Sequence, residues 1–288
     1  MTLTLGGPLA GVLYIPAMDR APTPVDIRAW QPGVPGIREV LHATFREHAY
    51  PPHTHDAWTL FLVDDGAIRY DLDRRERGAL PSMVSILPPH VVHDGRPATG
   101  DGFRKRVIYL EPQTIGEEWI GASVDRPMLR DPALRERLDV LHARLEAPDD
   151  RLEAETRLAF VLERLRIALG GRPDPRAPDH RAASNDAERL RAWLDERLFE
   201  PVTISDAAAA LDATPTRLAR AFSDTLGIAP HRYVLGRRLD AARGRLLDGQ
   251  PIADVAAEVG FVDQAHLTRR FRDFVGTTPG RFAERRRS

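Results

Sequence analysis

Apolar residues change their spacing twice along this 288-residue chain. From about residue 10 to 111 they come in short runs, such as Trp58-Thr59-Leu60-Phe61-Leu62-Val63, Met83-Val84-Ser85-Ile86-Leu87 and Val107-Ile108-Tyr109-Leu110. Turn-forming stretches separate them: Asp64-Asp65-Gly66, Pro88-Pro89 and Thr99-Gly100-Asp101-Gly102. Short runs bounded this way read as strands, and several in succession predict a sandwich or barrel. Between about 114 and 170 the period lengthens. Leu134, Leu138, Leu141 and Leu145 form one stripe, and Leu158, Val161, Leu162, Leu165 and Leu169 another. Steps of three and four residues predict two amphipathic helices, broken at Ala147-Pro148-Asp149-Asp150. Such a pair serves either as a dimer interface or as packing against the β domain. Gly170 to Asp186, with three prolines and almost no apolar residue, reads as a linker.

Beyond the linker the chain repeats itself. Leu218, Arg220, Phe222, Asp224, Gly227, Pro230, Arg232 and Tyr233 return as Leu267, Arg269, Phe271, Asp273, Gly276, Pro279, Arg281 and Phe282. Upstream, Ile204, Asp206, Ala208 and Leu211 match Ile252, Asp254, Ala256 and Val259, one residue out of step. The slip falls in a turn, where insertion is easiest. Each copy has the grammar of a helix-turn-helix. In the first, Thr203 or Ser205 caps a short helix, Asp212-Ala213 turn, Thr214 caps and Pro215 starts a second helix that stops at Gly227. In the second, Gly260 takes the turn, Asp263 caps and Gly276 stops. Pro230 to Leu247 bridge the copies as one helix of ~25 Å, with Tyr233, Leu235, Leu239, Ala242 and Leu246 inward.

Leu218 with Phe222, and Leu267 with Phe271, face a small core. That leaves Thr216, Arg217 and Arg220 free in one copy, and Gln264, Ala265, His266 and Arg269 in the other. Side chains in the first turns of such a second helix reach major-groove base edges. Arg bonds guanine O6 and N7, Gln bonds adenine N6 and N7, and an Ala methyl meets the thymine methyl. Arg220 and Arg269 either read bases or pair with a carboxylate or phosphate. Two recognition helices about one DNA turn apart, ~34 Å, would reach successive grooves of double-stranded DNA.

Charge agrees with this. The net charge of −1 hides a basic end: Thr214 to Ser288 carry fourteen arginines against eight carboxylates. All basic residues but Lys105 are arginine. No apolar run is long enough to span a membrane, and the N-terminal stretch lacks a basic leader, so the expected location is cytoplasmic. The absence of cysteine removes disulfides, thiolate metal sites and cysteine nucleophiles.

The pattern Gly260-Phe261…Leu267-Thr268-Arg269-Arg270-Phe271-Arg272…Gly276-Thr277-Thr278-Pro279-Gly280-Arg281-Phe282 resembles the signature of the AraC/XylS family of bacterial transcription regulators. The resemblance covers about the last hundred residues. It implies a seven-helix DNA-binding domain, promoter binding and contact with RNA polymerase, with Arg285 to Arg287 past the family's core. A DNA-alkylation repair protein with the same helical domain would need a cysteine acceptor and is excluded.

His53-Thr54-His55, then Gly66, then Pro88-Pro89-His90-Val91-Val92-His93 resemble the two motifs of a cupin barrel. In metal-binding cupins two His, a Glu and a later His are the ligands. Here His53, His55 and His93 match, but Thr59 stands where the Glu is expected. The histidines are therefore either hydrogen-bonding residues of a metal-free pocket or a three-imidazole site for a divalent metal. With Trp58 they are the candidate ligand-binding residues; Trp58, Phe61 and Tyr70 at strand spacing also suit a core. No cofactor is expected. The expected architecture is α+β in two domains: a cupin-like barrel (1–113), helices suited to dimerisation (114–170), a linker (171–186) and an all-α domain with two helix-turn-helix motifs (187–288). The expected function is a homodimeric transcription regulator, not an enzyme, controlled by a small molecule; the alternative is a metal-dependent cupin enzyme fused to a DNA-binding domain.

Overall fold

Among the described residues ten short strands fold into two antiparallel sheets, because their apolar residues alternate or run continuously wherever both faces are covered. The computed structural model describes residues 26–146, 151–170 and 185–284. The strands are β1 (Asp26–Trp30), β2 (Ile37–Phe45), β3 (Tyr50–His53), β4 (Trp58–Gly66), β5 (Ile68–Leu72), β6 (Arg75–Ala79), β7 (Val84–Leu87), β8 (His93–Pro97), β9 (Phe103–Leu110) and β10 (Met128–Leu129). One sheet has the order β1-β2-β9-β4-β7-β10, the other β3-β8-β5-β6. No strand pairing joins the sheets among the described residues, so the expected closed barrel is corrected to a two-sheet sandwich. A second correction concerns Asp64-Asp65-Gly66. These lie within β4, opposite β9, where a bulge between Val63 and Asp65 absorbs the residues expected to turn.

The six-stranded sheet is buried on both faces. Leu41, Ala43, Phe45, Phe61, Val63, Val107 and Tyr109 face Ile68, Tyr70 and Leu72 of the other sheet. Val40, Trp58, Leu60, Leu62, Ile86 and Ile108 face helices. That is why Trp58 to Val63 is buried without interruption. After β9 come α1 (Pro112–Ile115), a 3₁₀ turn (Glu117–Trp119), α2 (Ile120–Asp125), α3 (Pro132–Glu146) and α4 (Arg151–Ala168). The two leucine stripes meet as expected: Leu134, Leu138, Leu141 and Leu145 pack with Leu158, Val161 and Leu165 over the sheet. Asp131 secures the pair, accepting from Leu134 N at 2.9 Å and from Arg164 Nε at 2.9 Å. The expected break at 147–150 lies outside the described residues.

The C-terminal part is all helical: α5 (Asn185–Glu196), α6 (Ile204–Ala210), α7 (Pro215–Leu226), α8 (Pro230–Leu247), α9 (Ile252–Glu258), α10 (Gln264–Val275) and α11 (Pro279–Glu284). α5 begins at Asn185, inside the expected linker; residues 171–184, like Arg285 to Arg287, lie outside the described residues. Thr203 caps α6 in a reciprocal box with Asp206. Thr214 caps α7, Pro215 opens it, and Gly227 ends it at φ 76°. Asp263 caps α10, and Gly276 ends it at φ 88°. The first unit has its own core of Leu190, Leu194, Leu218, Phe222 and Tyr233. The second does not. Leu239, Leu246, Phe261, Leu267, Phe271 and Phe274 are continuous with the apolar space between the sheets.

Candidate nucleic-acid interface and ligand chamber

In both units the second helix turns its apolar stripe inward and leaves its first turns in solvent. Thr216, Arg217 and Arg220 are exposed on α7, and Gln264, Ala265 and Arg269 on α10. His266 is half-buried, its ring edge-on to Phe261 at 5.2 Å between centroids. Arg217 is committed: its Nε lies 2.6 Å from Asp186 Oδ2 at the start of α5. Arg220 and Arg269 form no ion pair among the described residues, so their guanidinium groups remain available. Sequence reasoning missed one further exposed residue. Val262, in the turn before Asp263, is 87% exposed, and Ala213 holds the equivalent place in the first copy. The signal was a large apolar residue in a polar turn.

The three histidines come together, and Trp58 does not join them. His53 on β3, His55 just after it and His93 on β8 are buried, with ring centroids 4.4 to 5.1 Å apart. Each ring spends Nδ1 on an acceptor outside the cluster: Pro51 O at 2.6 Å, Asp240 Oδ2 at 2.8 Å and Val91 O at 3.0 Å. His53 and His55 then face each other through Nε2 at 3.2 Å. Burial, then the neighbouring imidazoles, holds His53 well below the ordinary histidine range and brings His93 down to about 3. Both are therefore neutral at physiological pH. Trp58 lies on the opposite face of its sheet, its Nε1 donating to Pro112 O at 3.1 Å. The alternation of β4 puts Thr59 and Phe61 toward the histidines and Trp58 away from them.

The donor set fits a divalent ion. One ligand atom from each ring lies within 4.8 Å of the others. The outward Nδ1 bonds fix tautomer and ring orientation, as outer partners of metal-bound histidines do. Thr59 supplies no carboxylate, so such a site would hold an ion through three imidazoles only.

The histidines form one wall of a chamber between the sheets. It is also lined by Tyr50, Phe61, Tyr70, Phe103, Lys105 and Tyr109. The remaining wall belongs to the helical part: Arg243 of α8 and Phe274 and Val275 of α10. Sequence reading placed none of these three, nor Asp240, at the site. α8 carries a second face at i, i+4, i+7, namely Gly236, Asp240 and Arg243. Gly236 lies against His53, where a Cβ would make an ordinary contact at 3.7 Å with His53 Cβ. Asp240 takes His55 Nδ1, and Arg243 pairs with buried Glu39 of β2 while its guanidinium covers the Tyr109 ring at 4.6 Å. Arg237 Nη2 reaches Asp56 at 3.3 Å. At the end of α10, His48 Nε2 donates to Phe274 O at 3.2 Å, and the Phe274 ring stands edge-on to His53 at 4.6 Å. Gly276 is required there twice over. Its φ is positive, and a Cβ would come 2.8 Å from Phe45.

Two helix-turn-helix units with free basic and polar side chains, joined to a two-sheet domain enclosing a chamber, define a DNA-binding transcription regulator. Residues 35–162 match the model of the AraC-like ligand binding domain, and 207–285 that of a helix-turn-helix domain. The chain is 26% identical over 259 residues to the transcriptional activator NphR of Rhodococcus sp, covering 85% of this chain and 75% of that one. It is 24% identical over 231 residues to the transcriptional regulator YbfI of Bacillus subtilis, covering 76% and 81%. The fold is that of ToxT from Vibrio cholerae, solved with an unsaturated fatty acid bound (TM-score 0.56, 11% identity, 88% and 92% covered). The chain is an AraC/XylS-family transcription regulator with an N-terminal ligand-binding domain. No helix among the described residues is long and apolar enough to cross a membrane.

Proposed function

We propose that this regulator reads promoter DNA with the outer turns of α7 and α10, and reads its effector with the inner end of α10. One observation carries the reading. α10 is a twelve-residue helix, ~18 Å long, with Gln264, Ala265 and Arg269 in solvent at one end and Phe274 and Val275 in the chamber wall at the other. A molecule that entered the chamber would touch the same rigid element that enters the groove. It would change DNA affinity by as much as it prefers one seating of that helix over another.

Arg220 and Arg269 serve as base readers, helped by Thr216, Gln264, Ala265 and, from its half-buried position, His266. Arg217, held by Asp186, supports the helix start. The sensor is a cupin-like sandwich, by the placement of His53, His55 and His93 on adjoining segments. The chain acts in the cytoplasm as a homodimer and recruits RNA polymerase. Phe160 and Ile167, exposed and two helical turns apart on α4, support a dimer contact through that helix.

Mobility-shift titration on a bound promoter tests the DNA contacts. Arg269→Ala and Arg220→Ala are expected to weaken specific binding by about 1–3 kcal/mol each and relax preference at one base pair. Arg217→Ala is expected to do less. Unchanged sequence preference in both of the first two variants would sink the assignment.

A further inference from the structure

The inward row of β9 reads Phe103, Lys105, Val107, Tyr109, three aromatic or apolar side chains and one ammonium. Lys105 is the chain's only lysine beside forty arginines. It is partly buried, with Nζ 4.3 Å from the centroid of Tyr50 and 6.0 and 5.9 Å from those of Phe61 and Phe103. No carboxylate among the described residues pairs with it. The other charges lining the chamber are already engaged. Arg243 pairs with Glu39 and stands 3.7 Å from Asp240. Asp94 accepts from Asp71 N at 2.7 Å and faces Arg96 at 3.6 Å. Among the described residues the chamber therefore holds one amine without an acid; burial, then Arg243, brings it down to about 7, so near neutral pH it is charged only in part. Aromatic faces offset a buried ammonium only in part.

From this we infer that the effector is a small monocarboxylate with an apolar or aromatic body, its carboxylate seated on Lys105 Nζ. The inference rests on the reading of the chamber as the effector site. One cation matches one negative charge, which disfavours a phosphate dianion. Leu41, Phe61, Ile68, Val107, Phe274 and Val275 give the chamber an apolar side for the body of such a ligand. An ammonium binds as a point charge on a flexible stem, and so suits a single carboxylate oxygen where a guanidinium fork would demand two. Phe274 and Val275 close over the body of the ligand, so the same molecule that neutralises Lys105 presses on α10.

Isothermal titration of the full chain with benzoate and octanoate, against benzamide and octanamide, tests this. At least one carboxylate is expected to bind one per chain, about tenfold or more tighter than its own amide. Lys105→Met is expected to remove that preference, and Lys105→Arg to retain part of it. The comparison of acid with amide on the unaltered chain needs no variant to fold. Equal binding of acid and amide overturns the inference. So does no carboxylate binding at millimolar concentration. So does carboxylate binding that survives Lys105→Met but is lost to a chelator, since the histidines would then recognise the acid through a metal. Promoter affinity that ignores a carboxylate shown to bind would sink the effector reading and leave the carboxylate site standing.

Discussion

His42, His90 and His93 are each kept neutral by burial, which brings the first two to about 4 and the third to about 3. An unfolded chain protonates the same rings near the ordinary value of ~6.5. Below that pH the unfolded state binds protons that the folded state refuses, so stability falls as pH falls. We expect urea midpoints to drop steadily from about pH 6.5 toward pH 4, with up to three protons taken up on unfolding from these rings. Midpoints that stay flat across that window would contradict it. A second prediction concerns Glu39, which together with Arg243 is removed from water inside the sandwich. Glu39→Gln leaves a guanidinium short of its partner, and about 3 kcal/mol of stability should go with it, as read from denaturant unfolding. The histidine cluster was legible from its motif spacing. Trp58 was read as joining the histidines and lies on the other face, because in a run buried on both faces alternation separates two sets of side chains without saying which set faces the chamber. Lys105 was visible as a lone lysine, but its lack of an acid depends on what β2, β3, β4 and α8 bring near it.

Helix ends were the most legible elements. Thr203, Thr214 and Asp263 cap as their types and positions demand, and Gly227, Gly260 and Gly276 take left-handed turns that branched residues resist. The duplicated grammar exposed both units at once, since each device appears twice in step. Removing one cap should act locally: Thr214→Ala is expected to cost about 1 kcal/mol and loosen α7. Hydrogen exchange should rise in α7 and stay unchanged in α3 and α4. The strands were less legible at their ends. A bulge keeps Asp64 and Asp65 inside β4, because pairing with β9 outweighs the turn preference of two aspartates and a glycine. Short α1 and α2 carry too few turns to show a period, and went unseen.

For the molecule as a whole the decisive feature is that the second unit lacks a closed core. Phe274 and Val275 complete the sandwich, while α8 contributes Asp240 to His55 and Arg243 to Glu39. DNA-binding and ligand-binding parts therefore share apolar and ionic contacts, and a ligand can bias one only through the other. Weakening the shared contacts should separate them. Asp240→Asn is expected to keep promoter binding but to shrink the effect of a bound effector on it. By reciprocity, promoter DNA should then change effector affinity less than in the unaltered chain. Titrating each ligand in the presence and absence of the other measures both. An undiminished coupling in Asp240→Asn would show that the His55 contact carries none of it.

Periodicity, caps and stops are written in interactions between residues a few positions apart, and the order of residues settles them. That is why two helix-turn-helix units, the leucine-striped pair and a strand-rich first half could all be read in advance. The meeting of His55 with Asp240 joins positions 185 apart, and that of His48 with Phe274 positions 226 apart. Such contacts depend on how an apolar face with several possible partners finds the one that buries it best. Packing chose the two-sheet sandwich over a closed barrel, turned the far end of α10 into a chamber wall, and left one lysine facing that chamber with no acid among the described residues.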